Sequence, residues 1–189
     1  MSLDISLSLV IRCLLAGIFV RAAVHKIHNP GAFRGQLKAY RLLPDALVPA
    51  FCWLLPAAEV AIATGMLVPT WPYPPLLGAL LLLLYAAAMG INLGRGRVEI
   101  DCGCGGPADW PQGISWHLVA RNVALAGFAL VAAQPTLFRD LSMLEIASTA
   151  LASCAVLLVY GAIDQALVNT RRHRRYVYLR EQAITESKP

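Results

Sequence analysis

Charge is scarce in this chain. Asp, Glu, Lys and Arg make up 14% of its 189 residues, where a soluble domain carries roughly 25%. The deficit is gathered into long uncharged runs. With 58% hydrophobic residues and a mean hydropathy of +0.60, this excludes an ordinary water-soluble fold. No basic segment precedes the first apolar run and no small-residue cleavage site follows it, so that run is expected to be a first span rather than a leader. Paired Cys-x-x-Cys zinc spacing is missing as well. The net charge of +5 does not indicate nucleic acid, because the basic residues sit at helix ends and in one tail, where they meet anionic headgroups. The cysteine count of five is odd, so the thiols cannot all pair within one chain.

The chain does have apolar stretches at about 5–24, 46–68, 76–93, 116–133 and 144–168. Each is close to the ~20 residues that cross a ~30 Å hydrocarbon core. Each must be helical, because a lone segment in lipid has to satisfy its own backbone groups. The expected fold is an all-α polytopic membrane protein: one transmembrane domain over 1–168, then a basic polar tail over 169–189 that opens on Arg171, Arg172, His173, Arg174 and Arg175. Pro69, Pro72, Pro74 and Pro75 divide the second span from the third, with Trp71 and Tyr73 at interface depth.

Between the first two spans, Phe33, Leu37 and Tyr40 fall at i, i+4, i+7, and Arg34, Lys38 and Arg41 repeat that spacing one step on. This predicts a short amphipathic helix lying on the membrane surface, either a plain interfacial linker or a lid and docking surface.

Five spans place loops one and three and the C-terminal tail on one face, and the N-terminus with loops two and four on the other. The first face carries Lys26, Arg34, Lys38, Arg41, Arg95, Arg97, Arg171, Arg172, Arg174, Arg175, Arg180 and Lys188; the second carries only Arg139. The positive-inside bias puts the first face in the cytoplasm.

The strongest local signal is Asp101-Cys102-Gly103-Cys104-Gly105-Gly106-Pro107 in loop three. Closing a disulfide over one intervening residue demands unusual backbone angles, which glycine permits. A strained, exposed disulfide exchanges readily, so Cys102 and Cys104 suit a dithiol/disulfide couple. Two other readings stand beside it: inert thiols, or half of a metal site with Asp101 and His117 as helpers. His25, Lys26 and His28 end the first span on the same face, and Arg121 lies about two turns into the fourth. Cations beside a thiol raise its thiolate fraction; His25 and Lys26 also fit simple snorkelling to the interface. Asn122 is expected to hydrogen-bond between helices. Cys52, near the start of the second span, reads as a resolving thiol or an apolar filler, and Cys13 and Cys154 as packing. Glu59 sits near mid-bilayer, with Arg12 at similar depth. An ion pair between them is the expected structural arrangement; proton handling is the functional one.

The stretches His25-Lys26-Ile27-His28-Asn29-Pro30, Leu55-Pro56-Ala57-Ala58-Glu59, Asn92-Leu93-Gly94-Arg95-Gly96-Arg97, the cysteine motif, and Ile114-Ser115-Trp116 with Arg121-Asn122 resemble the MauE/DoxX family of methylamine utilisation membrane proteins, over about residues 10 to 133. The resemblance implies a four-helix bundle core, related in architecture to the vitamin K epoxide reductase and quinone-linked disulfide oxidase group. The fifth span and the tail lie outside it. It also implies a role in maturing the disulfide-rich small subunit of methylamine dehydrogenase with a thioredoxin-like partner of the MauD type. Cys102 and Cys104 would then be the redox couple, supported by Arg121, His25, Lys26, Glu59, Asp101 and Cys52.

The expected activity is that of a thiol–disulfide oxidoreductase in the bacterial inner membrane, with a quinone as candidate acceptor and no metal required. The rivals are a non-enzymatic scaffold for partner and client, or a metal-binding membrane protein. The client's compartment favours a periplasmic cysteine loop, against the charge count.

Overall fold

A computed structural model describes residues 4–98, 100, 113–136 and 142–186. Among them the secondary structure is helical: α1 (Ile5–His28), α2 (Pro30–Tyr40), α3 (Val48–Met66), α4 (Tyr73–Gly94), α5 (Trp116–Ala132) and α6 (Met143–Glu186). Local chemistry explains where several begin. Asp4 caps α1, its Oδ1 accepting from the Ser6 amide at 2.9 Å. Pro49 opens α3, and Pro74 and Pro75 open α4, in the first turn, where a missing N–H costs nothing.

Helices α1, α3, α4 and the apolar part of α6 (Met143–Ala166) are long and apolar enough to cross a membrane, and α5 is a shorter apolar helix. Four helices form the bundle: α1 packs on α3 and α5, and α4 packs on α5 and α3. The expected four-helix core and fifth span are both present. α6 docks on the outside of α1 and continues past the bilayer as one helix to Glu186. At 1.5 Å per residue that is about 66 Å, twice the hydrocarbon thickness.

The core is Leu15 and Phe19 of α1, Ile62 and Met66 of α3, Leu82 of α4 and Leu125 and Ala129 of α5. Small residues let the backbones approach, which is how helices associate where lipid removes the hydrophobic drive. A Cβ on Gly78 would lie 2.7 Å from Met66 Cε, and one on Gly17 would lie 2.6 Å from Leu157 Cδ2, where α1 meets α6. Outside, Leu77, Leu80, Leu84 and Leu158 face lipid, and Trp71, Tyr73 and Trp116 stand exposed near helix ends at interface depth. Cys154 also faces outward. The expectation that it packs inside is corrected, because α6 buries only the face turned to α1.

The two ends of the bundle are identified by their contacts. Arg12, low on α1, donates from Nη1 to the carbonyls of Val68 and Trp71 and from Nη2 to that of Ala132, each at 3.0 Å. The N-terminus, loop two and the start of loop four therefore share one end. At the other end, Ile114 and Leu118 at the start of α5 pack with Met89 and Leu93 of α4 and Tyr40 of α2.

Candidate functional site in the membrane core

Loop three leaves α4 and enters α5 across a fixed base. The Ile114 amide donates to the Ile100 carbonyl at 3.0 Å, and both side chains are buried. Residues 101–112, which include Asp101, Cys102 and Cys104, lie outside the described residues.

Below that base the sequence-predicted residues separate into two clusters. In the first, Lys26 and Glu59 form an ion pair, the side chains 5% and 0% exposed. Lys26 stands two residues before the end of α1, and Glu59 eleven residues into α3. The lysine stem therefore turns inward to reach the carboxylate. Snorkelling to the headgroups, the simpler expectation for Lys26, does not occur. The Tyr85 hydroxyl donates to the same Glu59 Oε1 at 2.8 Å. The ammonium lies 5.5 Å from the Phe33 ring centre and 5.2 Å from that of Tyr85, within cation–π range of both. Glu59 Oε2 is buried with no hydrogen-bond partner among the described residues.

The expected Arg12–Glu59 pair is thus overturned. The two residues are at different heights, and each has a better partner. Arg12 takes the carbonyls just past α3 and at the last turn of α5, with Nε on Ser8 Oγ at 3.3 Å. Of these, the Ala132 carbonyl is one that a helix end leaves unsatisfied, at the negative end of the α5 dipole.

In the second cluster Arg121 Nη1 donates to Asp164 Oδ1 of α6 at 2.9 Å, and Arg21 of α1 reaches Asp164 Oδ2 at 3.1 Å. Glu59 or a backbone carbonyl is the structural partner expected for Arg121; the carboxylate it meets comes from the fifth span. Asn122, expected to bridge helices, donates to the Leu118 carbonyl of its own helix at 2.8 Å. A cavity of ≈110 Å³ is lined by both clusters, with Lys26, Glu59 and Tyr85 in one part of its wall and Arg121, Asn122 and Asp164 in another. That volume accommodates several waters.

Around these clusters, α2 is the amphipathic helix expected, with Phe33 buried and Arg34, Lys38 and Arg41 exposed. Cys52 is buried against Phe33 and Val48. His25 is half-buried and His117 exposed. No group of three metal-ligating side chains occurs among the described residues.

Three residues of the site escaped the sequence reading, Arg21 of the first span among them. Asp164 carried a usable signal, being an acid inside an apolar span. Tyr85 carried none, since a tyrosine in a leucine-rich helix equally suits lipid or an interface.

This architecture is a multi-pass bundle with charged groups paired across its interior. The family described as methylamine utilisation protein MauE matches residues 5–134. The chain is 38% identical to the methylamine utilization protein MauE of Paracoccus denitrificans over 157 residues, covering 79% of this chain and 81% of that one. It is 39% identical to that of Methylophilus methylotrophus over 153 residues (79% and 80%) and 36% identical to that of Methylorubrum extorquens over 155 residues (80% and 83%). No solved structure matches. With relatives aligned over four-fifths of their length and the family matched across all four bundle helices, this membrane protein belongs to the MauE family.

Proposed function

We propose that this protein serves methylamine utilisation as a membrane thiol–disulfide redox protein. It would assist disulfide formation in the methylamine dehydrogenase small subunit, together with a thioredoxin-like partner. The observation that carries the reading is the seat of the Cys102-Gly103-Cys104 motif. Cys102 follows Ile100 by two residues, and Ile100 is hydrogen-bonded to Ile114 and buried at the mouth of the bundle. Ile100 and Ile114 thus anchor, at the mouth of the bundle, the two ends of the segment whose sequence carries the dithiol motif. The proposed setting is the bacterial inner membrane with this loop on the periplasmic side, where disulfides persist.

Alkylation trapping before and after reduction tests the reading. Cys102 and Cys104 should shift together between labelled and protected forms, and a Cys102→Ser/Cys104→Ser variant should lose client maturation. Unchanged labelling under every redox condition would sink it. The exposed basic face of α2, Arg34, Lys38 and Arg41, favours a scaffold as the second reading, and full maturation in the double variant would select it.

A further inference from the structure

The Lys26–Glu59–Tyr85 cluster divides two chambers. One is the polar cavity shared with Arg121 and Asp164. The other lies beneath α2 and measures ≈250 Å³. Its wall includes Phe33, Leu37 and Tyr40 of α2, Phe51 and Leu55 of α3, and Leu81 of α4. Lys26 and Tyr85 belong to both walls. This second chamber is apolar except for a few polar groups, the usual constitution of a small-molecule site. It also adjoins the base of the cysteine loop, because Met89 and Tyr40 line it and pack in the cluster that seats Ile114.

We propose that the chamber beneath α2 binds the ring of a quinone-class, lipid-soluble carrier, with Lys26 donating to a ring carbonyl. Four observations select that occupant. The walls are hydrocarbon and aromatic, so the ligand is apolar and comes from the bilayer. The Phe33, Tyr40, Phe51 and Tyr85 rings favour a flat partner. An ammonium has three donors, and Glu59 accepts from only one; an acyl chain offers the others no acceptor, whereas a ring carbonyl does.

The fourth concerns protons. A quinone becomes a quinol by taking two electrons and two protons. Oxidation of a dithiol to a disulfide releases two of each, so the exchange balances with no further reactant. Glu59 holds Lys26 with one oxygen and has its other oxygen unpartnered in a residue that lines the polar cavity, so a proton route adjoins the ring. The electron source rests on the thiol function proposed above; the binding site does not.

The test is photolabelling of the purified full-length protein with an azido-ubiquinone analogue, competed by decylubiquinone. Label is expected in peptides from 33–55 and 81–89, and excess decylubiquinone should remove it. Ala88→Trp, which fills the chamber, should lower labelling at least about tenfold. Leu37→Trp, on the interfacial helix rather than in the bundle, should do the same if Ala88→Trp does not fold. The neutral pair Lys26→Met/Glu59→Gln should fold yet label about tenfold less, as expected for loss of one charged hydrogen bond; a purely structural ion pair would leave labelling intact. Label elsewhere, label indifferent to all three variants, or a pocket that yields only phospholipid and ignores decylubiquinone would overturn the proposal. Alkylation trapping and photolabelling of the same unmodified protein separate the two readings. Thiol cycling without quinone labelling removes the quinone site alone, and quinone labelling without thiol cycling removes the thiol function alone.

Discussion

Lys26→Met leaves a carboxylate without its cation in the middle of the bundle, and Glu59→Gln leaves an ammonium without its anion. The pair is 5% and 0% exposed, so solvent cannot compensate either change. Removing one partner of such a pair costs roughly 3–5 kcal/mol, and most of that is the stranded charge rather than the lost attraction. The double variant strands nothing: methionine and glutamine keep the shape, and the Tyr85 hydroxyl still finds a side-chain oxygen. It should recover most of the loss, giving a coupling energy on the order of 3 kcal/mol.

The assay is reversible unfolding of detergent-purified protein with increasing SDS, alongside the membrane abundance of each variant. A control cycle sharpens the result. Arg12→Met with Glu59→Gln should be additive within about 0.5 kcal/mol, because Arg12 is held by the carbonyls of Val68, Trp71 and Ala132. Additive Lys26 and Glu59 losses, or strong coupling between Arg12 and Glu59, would refute the assignment.

Arg12→Met should itself be among the most damaging single changes, since it takes the guanidinium donor from the Trp71 and Ala132 carbonyls and leaves the Val68 carbonyl with the Trp71 amide alone, at about 1–3 kcal/mol for each carbonyl left unpaired; the fraction of folded protein after extraction measures this, and a near-normal yield would count against the staple. Asp164→Asn should loosen α6 from α1 by weakening its ties to Arg121 and Arg21, seen as reduced cross-linking between cysteines placed at Gly17 and Leu157, with unchanged cross-linking as the contrary result. Gly78→Leu should cost about 1–3 kcal/mol by overpacking, while Gly78→Ala should be milder because the nearest atoms are side-chain tips of Met66 and Phe19; thermal unfolding in detergent ranks the two. Single cysteines in loops two and three should label from opposite sides of the membrane with an impermeant reagent, and labelling of loop three only after the inner membrane is opened would favour the charge count over the periplasmic placement.

The spans were legible because the bilayer makes one-dimensional demands. Apolar runs of the right length between Pro- and Gly-rich turns predicted helices at 5–24, 46–68, 76–93, 116–133 and 144–168, and the apolar helices found begin and end within a few residues of these limits, except that α6 continues beyond its apolar part to Glu186. The i, i+4, i+7 pattern of Phe33, Leu37 and Tyr40 located α2 for the same reason: its two faces meet different media. The grouping of loops followed from the number of crossings, and the contacts of Arg12 agree with it.

The pairing of charges was not legible in this way. Chain order and depth made Arg12 a plausible partner for Glu59, but depth along a helix says nothing about rotation around it. Only the packing of α1 on α3 turned Lys26 toward Glu59, and only that of α4 on α3 brought Tyr85 beside it. Likewise Asp164 meets Arg121 and Arg21 because α6 docks on one face of α1, and an apolar helix exposed to lipid elsewhere carries no pattern that names its neighbour. Hydrophobicity along the chain is thus enough to specify which segments enter the bilayer, since that choice is made segment by segment against a uniform solvent. Which charge neutralises which, and the two cavities beside the Lys26–Glu59 pair, depend on rotations and distances between helices that are set only when the helices pack together.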